Sequence, residues 1–212
     1  MEIDFFFFEE YTFRKKVTQC HSQKEVIVPR STFFSLKAEK RERIEKALVS
    51  EFENRTLGDA KVKHVVERLG ISRGSFYQYF HNMQDAYFYI LDLKLRFIHE
   101  GFFTLYRAEP QNIESVLEKY GVFLRESLYA PEHYPLFRNR FMAWNSELEM
   151  AWRQYHADEA IGAFYSNPRF VLIGDLVHGL MQRVFMHRLS PDAFSKDYDE
   201  MVRFVMGGVK NV

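Results

Sequence analysis

Two short runs of helical periodicity, separated by a glycine, constrain this chain more than any other feature. The first, "GDAKVKHVVERLG" (residues 58–70), sets Val62, Val65, Val66 and Leu69 on one stripe, with Asp59 as the expected N-cap and Gly70 as a left-handed C-terminal stop. Ser72 follows as the N-cap of a second helix running to about Phe80. That helix carries Phe76, Tyr77, Tyr79 and Phe80 within five positions. Residues four apart share a helix face, so Phe76 and Phe80 go inward together and Tyr77 and Gln78 are left on the far side near Arg73. Two short helices joined by a few residues that include a glycine form a helix-turn-helix, whose second helix enters the DNA major groove N-terminus first. Arg73, Ser75, Tyr77 and Gln78 then face DNA; Arg can pair with guanine and Gln with adenine, and neither base is assigned. The competing reading makes the tyrosines half-buried core edges.

Helical patterning continues on both sides. From Lys37 to Phe52, Ile44, Ala47, Leu48 and Phe52 recur at helical spacing, and the helix ends near Asn54. Asn82 caps a long helix, "MQDAYFYILDLKLRFIHEGFFTLYRA", that stops before Pro110. "NIESVLEKYGVFLRESLY" is amphipathic and stops at Pro131, and the stretch from Pro135 to Tyr165 is one broken helix or two consecutive ones ending before Pro168. Two more helices close the chain, residues 169–189 and "PDAFSKDYDEMVRFVMGGV". The first of these is apolar on more than one face and needs cover from two sides. A two-fold helical interface supplies it; completion of a monomer's core is the alternative.

Composition sets outer bounds. With 212 residues, 47% hydrophobic and 17% aromatic, the chain can bury a sizeable core. A single cysteine, Cys20, excludes an internal disulfide framework and a multi-cysteine zinc site. Neither a secretory leader pattern nor a transmembrane run is present, so the expectation is a cytoplasmic protein with no membrane partner. Net charge is zero, yet residues 14–85 hold 15 Lys+Arg against 9 Asp+Glu, an excess of +6, with −4 before them and −2 after. This basic excess surrounds the two short helices and points to a polyanion partner there.

The residues "VVERLGISRGSFYQYFHNMQDAYFYIL", together with the preceding "TFFSLKAEKRERIEKALVSEF", resemble the DNA-binding region of TetR-type transcriptional regulators over residues 32–92. Beyond Leu95 the likeness is one of helical layout. The resemblance implies an all-α fold: a three-helix helix-turn-helix domain at residues 31–82, then a helical effector-binding and dimerisation domain at residues 83–212, joined into a homodimer by the last two helices. It implies a repressor released from a palindromic DNA operator by a small-molecule effector, with Tyr77 and Tyr79 on the DNA backbone and Arg73 and Ser75 at the groove. Two positions depart from the pattern: "AKV" replaces the threonine that usually opens the second helix, and Met83 stands where a lysine often lies. Lys61, Lys63 and His81 are expected to compensate for the lost phosphate contact. The full expected DNA-facing set is Lys61, Lys63, Ser72, Arg73, Gly74, Ser75, Tyr77, Gln78, Tyr79 and His81.

Phe102, Tyr106, Tyr120, Phe123, Trp144, Trp152, Tyr155, His178 and Met181 are the candidate effector-pocket residues, because aromatic walls with a few polar tips are what ligand sites use. Each has ordinary core as its alternative. His178, within "LVHGL", is expected to be a buried imidazole in need of a partner. The walls favour an apolar or aromatic effector. Residues 1–30, with "DFFFFEE" and no clean helical period, read as an atypical N-terminal extension: poorly ordered, a misassigned start, or a basic arm through Arg14, Lys15 and Lys16. An all-α enzyme or metal-binding bundle finds little support. The eight histidines make no Glu-x-x-His or His-Glu-x-x-His, "HADE" (156–159) lacks two ligands on one helix face, and no phosphate-cradling glycine loop is present. Neither a cofactor nor a catalytic residue is expected. A DNA-binding architectural protein without an effector stays open.

Overall fold

The chain breaks into helices where its sequence supplies stops and caps. The computed structural model describes residues 29–155 and 168–209, and among these residues it contains ten α-helices and no strand. They are α1 (Ser31–Phe34), α2 (Ala38–Asn54), α3 (Val62–Leu69), α4 (Arg73–Tyr79), α5 (Met83–Ala108), α6 (Ile113–Tyr129), α7 (Tyr134–Ala143), α8 (Ser146–Tyr155), α9 (Pro168–Met186) and α10 (Pro191–Val209). The fold is all-α, as expected. Most of the N-terminal extension and the end of the segment before Pro168 lie outside the described residues.

Gly70 ends α3 at φ 65°, ψ 34°, the left-handed conformation that glycine adopts without a Cβ penalty. Ser72 and Asn82 cap α4 and α5, accepting hydrogen bonds from the backbone N–H of Ser75 and of Asp85. Asn112 does the same for α6 through Ser115. Asp59 is a correction. It lies in the turn before α3, where Oδ2 accepts from the Thr56 hydroxyl at 2.8 Å. The N-cap is Lys61, whose N–H donates to Glu51 Oε1 at 3.0 Å, so a carboxylate from the neighbouring helix takes up that donor.

The first half of α5 is the spine. Every residue from Asp85 to Asp92 is buried, because α2 packs across this part of α5 and the aromatic side chains of α8 close on Phe88. Further along, α6 packs on α5 and on α10, α7 on α2 and α9, and α9 on α10. The α6–α10 contact is close because Gly121 leaves room for a ring: a Cβ at that position would lie 2.5 Å from the Tyr198 ring. Tyr198 cannot readily yield, being 1% exposed and donating its hydroxyl to the Leu117 carbonyl at 2.9 Å.

Gly121→Ala should therefore destabilise the fold by about 1 to 3 kcal/mol, the usual cost of overpacking. That outweighs the roughly 1 kcal/mol which alanine otherwise gains over glycine within a helix. The measurement is the urea midpoint, which should fall.

Candidate nucleic-acid interface

The second helix of the motif, α4, divides its side chains by helical position. Phe76 and Phe80 are 1% and 0% exposed, while Tyr77 is 47% exposed and Arg73, Gly74 and Gln78 are open to solvent. Arg73 engages no partner among the described residues. Ser72 and Ser75 face each other at the N-terminus with their hydroxyls 2.9 Å apart, so both belong first to the cap. Tyr79, which the resemblance sets on the DNA backbone, has its ring buried: it is 6% exposed and packs 6.2 Å from Phe33, with Lys40 Nζ 5.8 Å from its ring centre. Three residues after Phe76, it falls on the inward face.

Lys61 and Lys63 are exposed on α3 and just before it, and Lys63 pairs with Glu67 at 3.7 Å in an exposed ion pair. His81 is exposed just after α4, with Nδ1 3.3 Å from Asp85 Oδ2, leaving Nε2 as its outward nitrogen. Burial raises the Asp85 carboxyl above its ordinary range, against the His81 N–H and imidazole and the charge of Arg30. The basic groups and the Tyr77–Gln78 face thus occur on neighbouring short helices.

A contribution that sequence reasoning missed comes from α1. Phe33 is fully buried and meets Phe80 at 4.9 Å and Tyr89 at 5.1 Å between ring centres. The Arg30 N–H donates to the Tyr79 carbonyl at 2.8 Å, and the Thr32 hydroxyl donates to the Gln78 carbonyl. These are carbonyls that the end of α4 cannot satisfy itself. The signal available was "TFF" itself, two phenylalanines placed ahead of the first long amphipathic run.

The seam between α2 and α3 is ionic. Glu51 is fully buried on α2, where Oε1 accepts from the Lys61 N–H at 3.0 Å and lies 2.8 Å from His64 Nδ1, and Oε2 accepts from Arg55 at 3.0 Å. Burial works against the charge, but the His64 and Lys61 hydrogen bonds and the Arg55 guanidinium prevail and hold the carboxyl below its usual range. Arg68 adds a bond from α3 to the Ala47 carbonyl at 3.0 Å.

The expected effector residues fall into two groups. Phe102, Tyr106, Tyr120 and Phe123 form one on α5 and α6, with Phe102 5.2 Å from Tyr120 and stacked on Tyr106. Tyr120 is a core residue whose hydroxyl donates to the Ile98 carbonyl at 3.3 Å. Trp144, Trp152 and Tyr155 form the other around Phe88, with Trp152 and Tyr155 stacked at 5.5 Å. Met181 is buried core on α9. His178 is a correction: it lies off the buried stripe of Ile173, Val177, Leu180 and Val184 and is exposed.

A link between the two halves of the chain runs through α7. Asn139 Nδ2 donates to the carbonyls of Phe52 and Glu53, at 2.9 and 3.1 Å, and so satisfies the C-terminal end of α2. Tyr89 adds a second link, donating from α5 to Glu45 on α2 at 2.5 Å.

Residues 113–208 match the family model described as "Tetracyclin repressor, C-terminal domain". Among solved structures, the chain is similar to one described as a TetR-family transcriptional regulator from Mesorhizobium loti MAFF303099, at 16% identity and a TM-score of 0.56, covering 80% of this chain and 96% of that one. It is also similar to a TetR family transcriptional regulator from Chloroflexus aurantiacus J-10-FL, at 18% identity and a TM-score of 0.49, covering 85% of this chain and 98% of that one. The first of these likenesses supports the fold. A comparison with curated proteins finds no match.

Glu51→Gln should cost about 1 to 3 kcal/mol at neutral pH, as loss of a charge-assisted buried network does. Because folding lowers the Glu51 pKa, its contribution is present above the usual carboxylate value of 4.5 and is lost as pH falls through the lower folded value. Urea unfolding of both proteins between pH 7 and pH 3 should show the difference narrowing on the acid side.

Proposed function

We propose that this chain, whose residues 113–208 match the tetracycline-repressor C-terminal domain, is a TetR-family regulator: a homodimeric repressor that leaves a palindromic operator when a small molecule binds. The observation that carries the reading is the outward face of α4: Arg73, Tyr77 and Gln78 open to solvent on a helix whose other face is locked into the core. Residues 31–82 act as the DNA-binding domain. Arg73 and Gln78 read base edges, Tyr77 meets phosphate, and Lys61, Lys63 and the outward nitrogen of His81 add phosphate contacts. Ser72, Gly74 and Ser75 bring the start of the helix close to the groove, with the serines serving through the cap, and Tyr79 holds the helix from inside.

Residues 83–212 sense the effector and dimerise. Leu172 and Leu176 on α9 and Phe204 on α10 are 63%, 39% and 77% exposed in a single chain, an apolar surface suited to a two-fold helical contact. In the effector response, a ligand among the α5, α7 and α8 aromatics shifts α7 against α2 through Asn139 and changes the spacing of the two recognition helices. A hundredfold release requires about 2.7 kcal/mol of preference for the DNA-incompetent arrangement. The site of action is cytoplasmic DNA, and no catalytic role, cofactor or metal is proposed. An architectural DNA-binding protein is the second reading; an effector that loosens operator binding decides against it.

Footprinting with purified protein should show an inverted repeat protected on one DNA face, with affinity falling steeply as salt rises. Salt-independent binding, or equal affinity for random duplex, would remove the proposal. Arg73→Ala and Gln78→Ala should each cost about 1 to 3 kcal/mol of operator binding and relax sequence preference, while Tyr77→Phe should weaken all sequences alike. Asn139→Ala should leave operator affinity within about threefold and blunt the effector response, as loss of a coupling contact does; release assays on the operator duplex read both.

A further inference from the structure

Arg140 on α7 is 7% exposed, and its Nε is buried without a hydrogen-bond partner. No ion pair with a carboxylate engages the guanidinium among the described residues. It lies instead over aromatic faces, 3.9 Å from the centre of the Trp144 ring and 5.0 Å from that of Phe141. Glu149 is near enough to favour the arginine's charge, but its Oε2 accepts from Trp144 Nε1 at 2.8 Å. A buried cation is costly unless an acceptor completes it, and two ring faces hold its plane while Nε, on its edge, goes unanswered. That edge is a fork whose geometry matches a carboxylate through two parallel hydrogen bonds.

The surroundings suit a flat molecule. Trp144 and Trp152 meet edge to face at 6.1 Å, and Phe88 closes on both from α5. His178 is solvent-accessible in a single chain and meets Phe141 edge to face at 6.3 Å; crowding by its neighbours first, and the Arg140 charge second, disfavour its imidazolium. Asn139, the residue before Arg140, holds the end of α2.

We propose that Arg140 anchors an anionic effector, a small planar aromatic acid whose carboxylate takes the guanidinium edge and whose ring lies against Trp144 and Trp152. The inference deepens the effector-responsive reading above, rests on it, and replaces the uncharged effector which the aromatic walls alone favour. The anchor and the coupling contact are consecutive on one helix, so the acid acts at the point where α7 meets the DNA-binding helices.

The test uses the full-length protein with benzoate, phenylacetate and cinnamate as probes, each paired with its neutral amide. Binding is followed by calorimetry and by emission of the chain's two tryptophans, Trp144 and Trp152. At least one acid should bind saturably and at least tenfold more tightly than its amide. Arg140→Met should abolish that preference, and Arg140→Lys should retain part of it. Should Arg140→Met fail to fold, the acid-against-amide comparison on the unaltered protein and the lysine variant still decide. Acids and amides binding alike, binding unmoved by Arg140→Met, or no binding by any acid each overturns the anchor. An uncharged aromatic that releases operator DNA while the acids do not bind refutes Arg140 and leaves the regulator reading intact. An acid that binds through Arg140 without changing operator affinity upholds the anchor and removes the regulatory reading.

Discussion

A helix of seven residues cannot hold its shape in water, so the outward face of α4 depends on what buries its inner one. Phe80 is the centre of that burial. It touches Phe33 on α1, Phe76 on the helix that it ends and Tyr89 on α5, and the three contacts fix the angle of α4 about its axis. The backbone agrees with the side chains, because the Gln78 and Tyr79 carbonyls are bonded from α1. With both faces so constrained, Tyr77 and Gln78 have one direction left to them. That direction is solvent, where a polyanion can be met.

The same helix α5 that receives Phe80 continues among the aromatic residues of the C-terminal domain, so the two halves share one rod. Its buried stretch, Asp85 to Asp92, holds Tyr89 against α2 and Phe88 against the tryptophans. Across from it, α7 reaches α2 through Asn139 and meets α9 on its other side. A displacement of α7 must therefore alter either the capping of α2 or the packing of α9. A packed interior transmits such shifts rather than absorbing them.

Much of this was legible in the residues. Gly70, Ser72 and Asn82 were readable as stop and caps because their roles are local: a left-handed turn or a side-chain oxygen two or three positions from its donor. The helix from Met83 to Ala108 was readable because Asn82 begins it and Pro110 limits it. Phe76 and Phe80 were readable as inward from their spacing. Tyr79, which the resemblance sets on the DNA backbone, lies three residues after Phe76 with its ring on the inward arc, and Phe33 and Lys40, from other helices, close over it. Asp59 was misread because the donor it was expected to satisfy is taken by Glu51 from a neighbouring helix.

Periodicity, caps and breakers, then, were enough in the sequence to determine an all-α chain with a helix-turn-helix, because each acts within one or two turns of backbone. Only the tertiary structure decided which aromatics meet. It set Phe102 against Tyr120 and Phe88 against Trp144 and Trp152, and it laid Arg140 over the Trp144 ring with its Nε unpartnered. A sequence can mark a residue as arginine on a helix, but whether that charge is covered depends on how the helices come together around it. Burial is a property of that assembly, and the chemistry of the site follows from it.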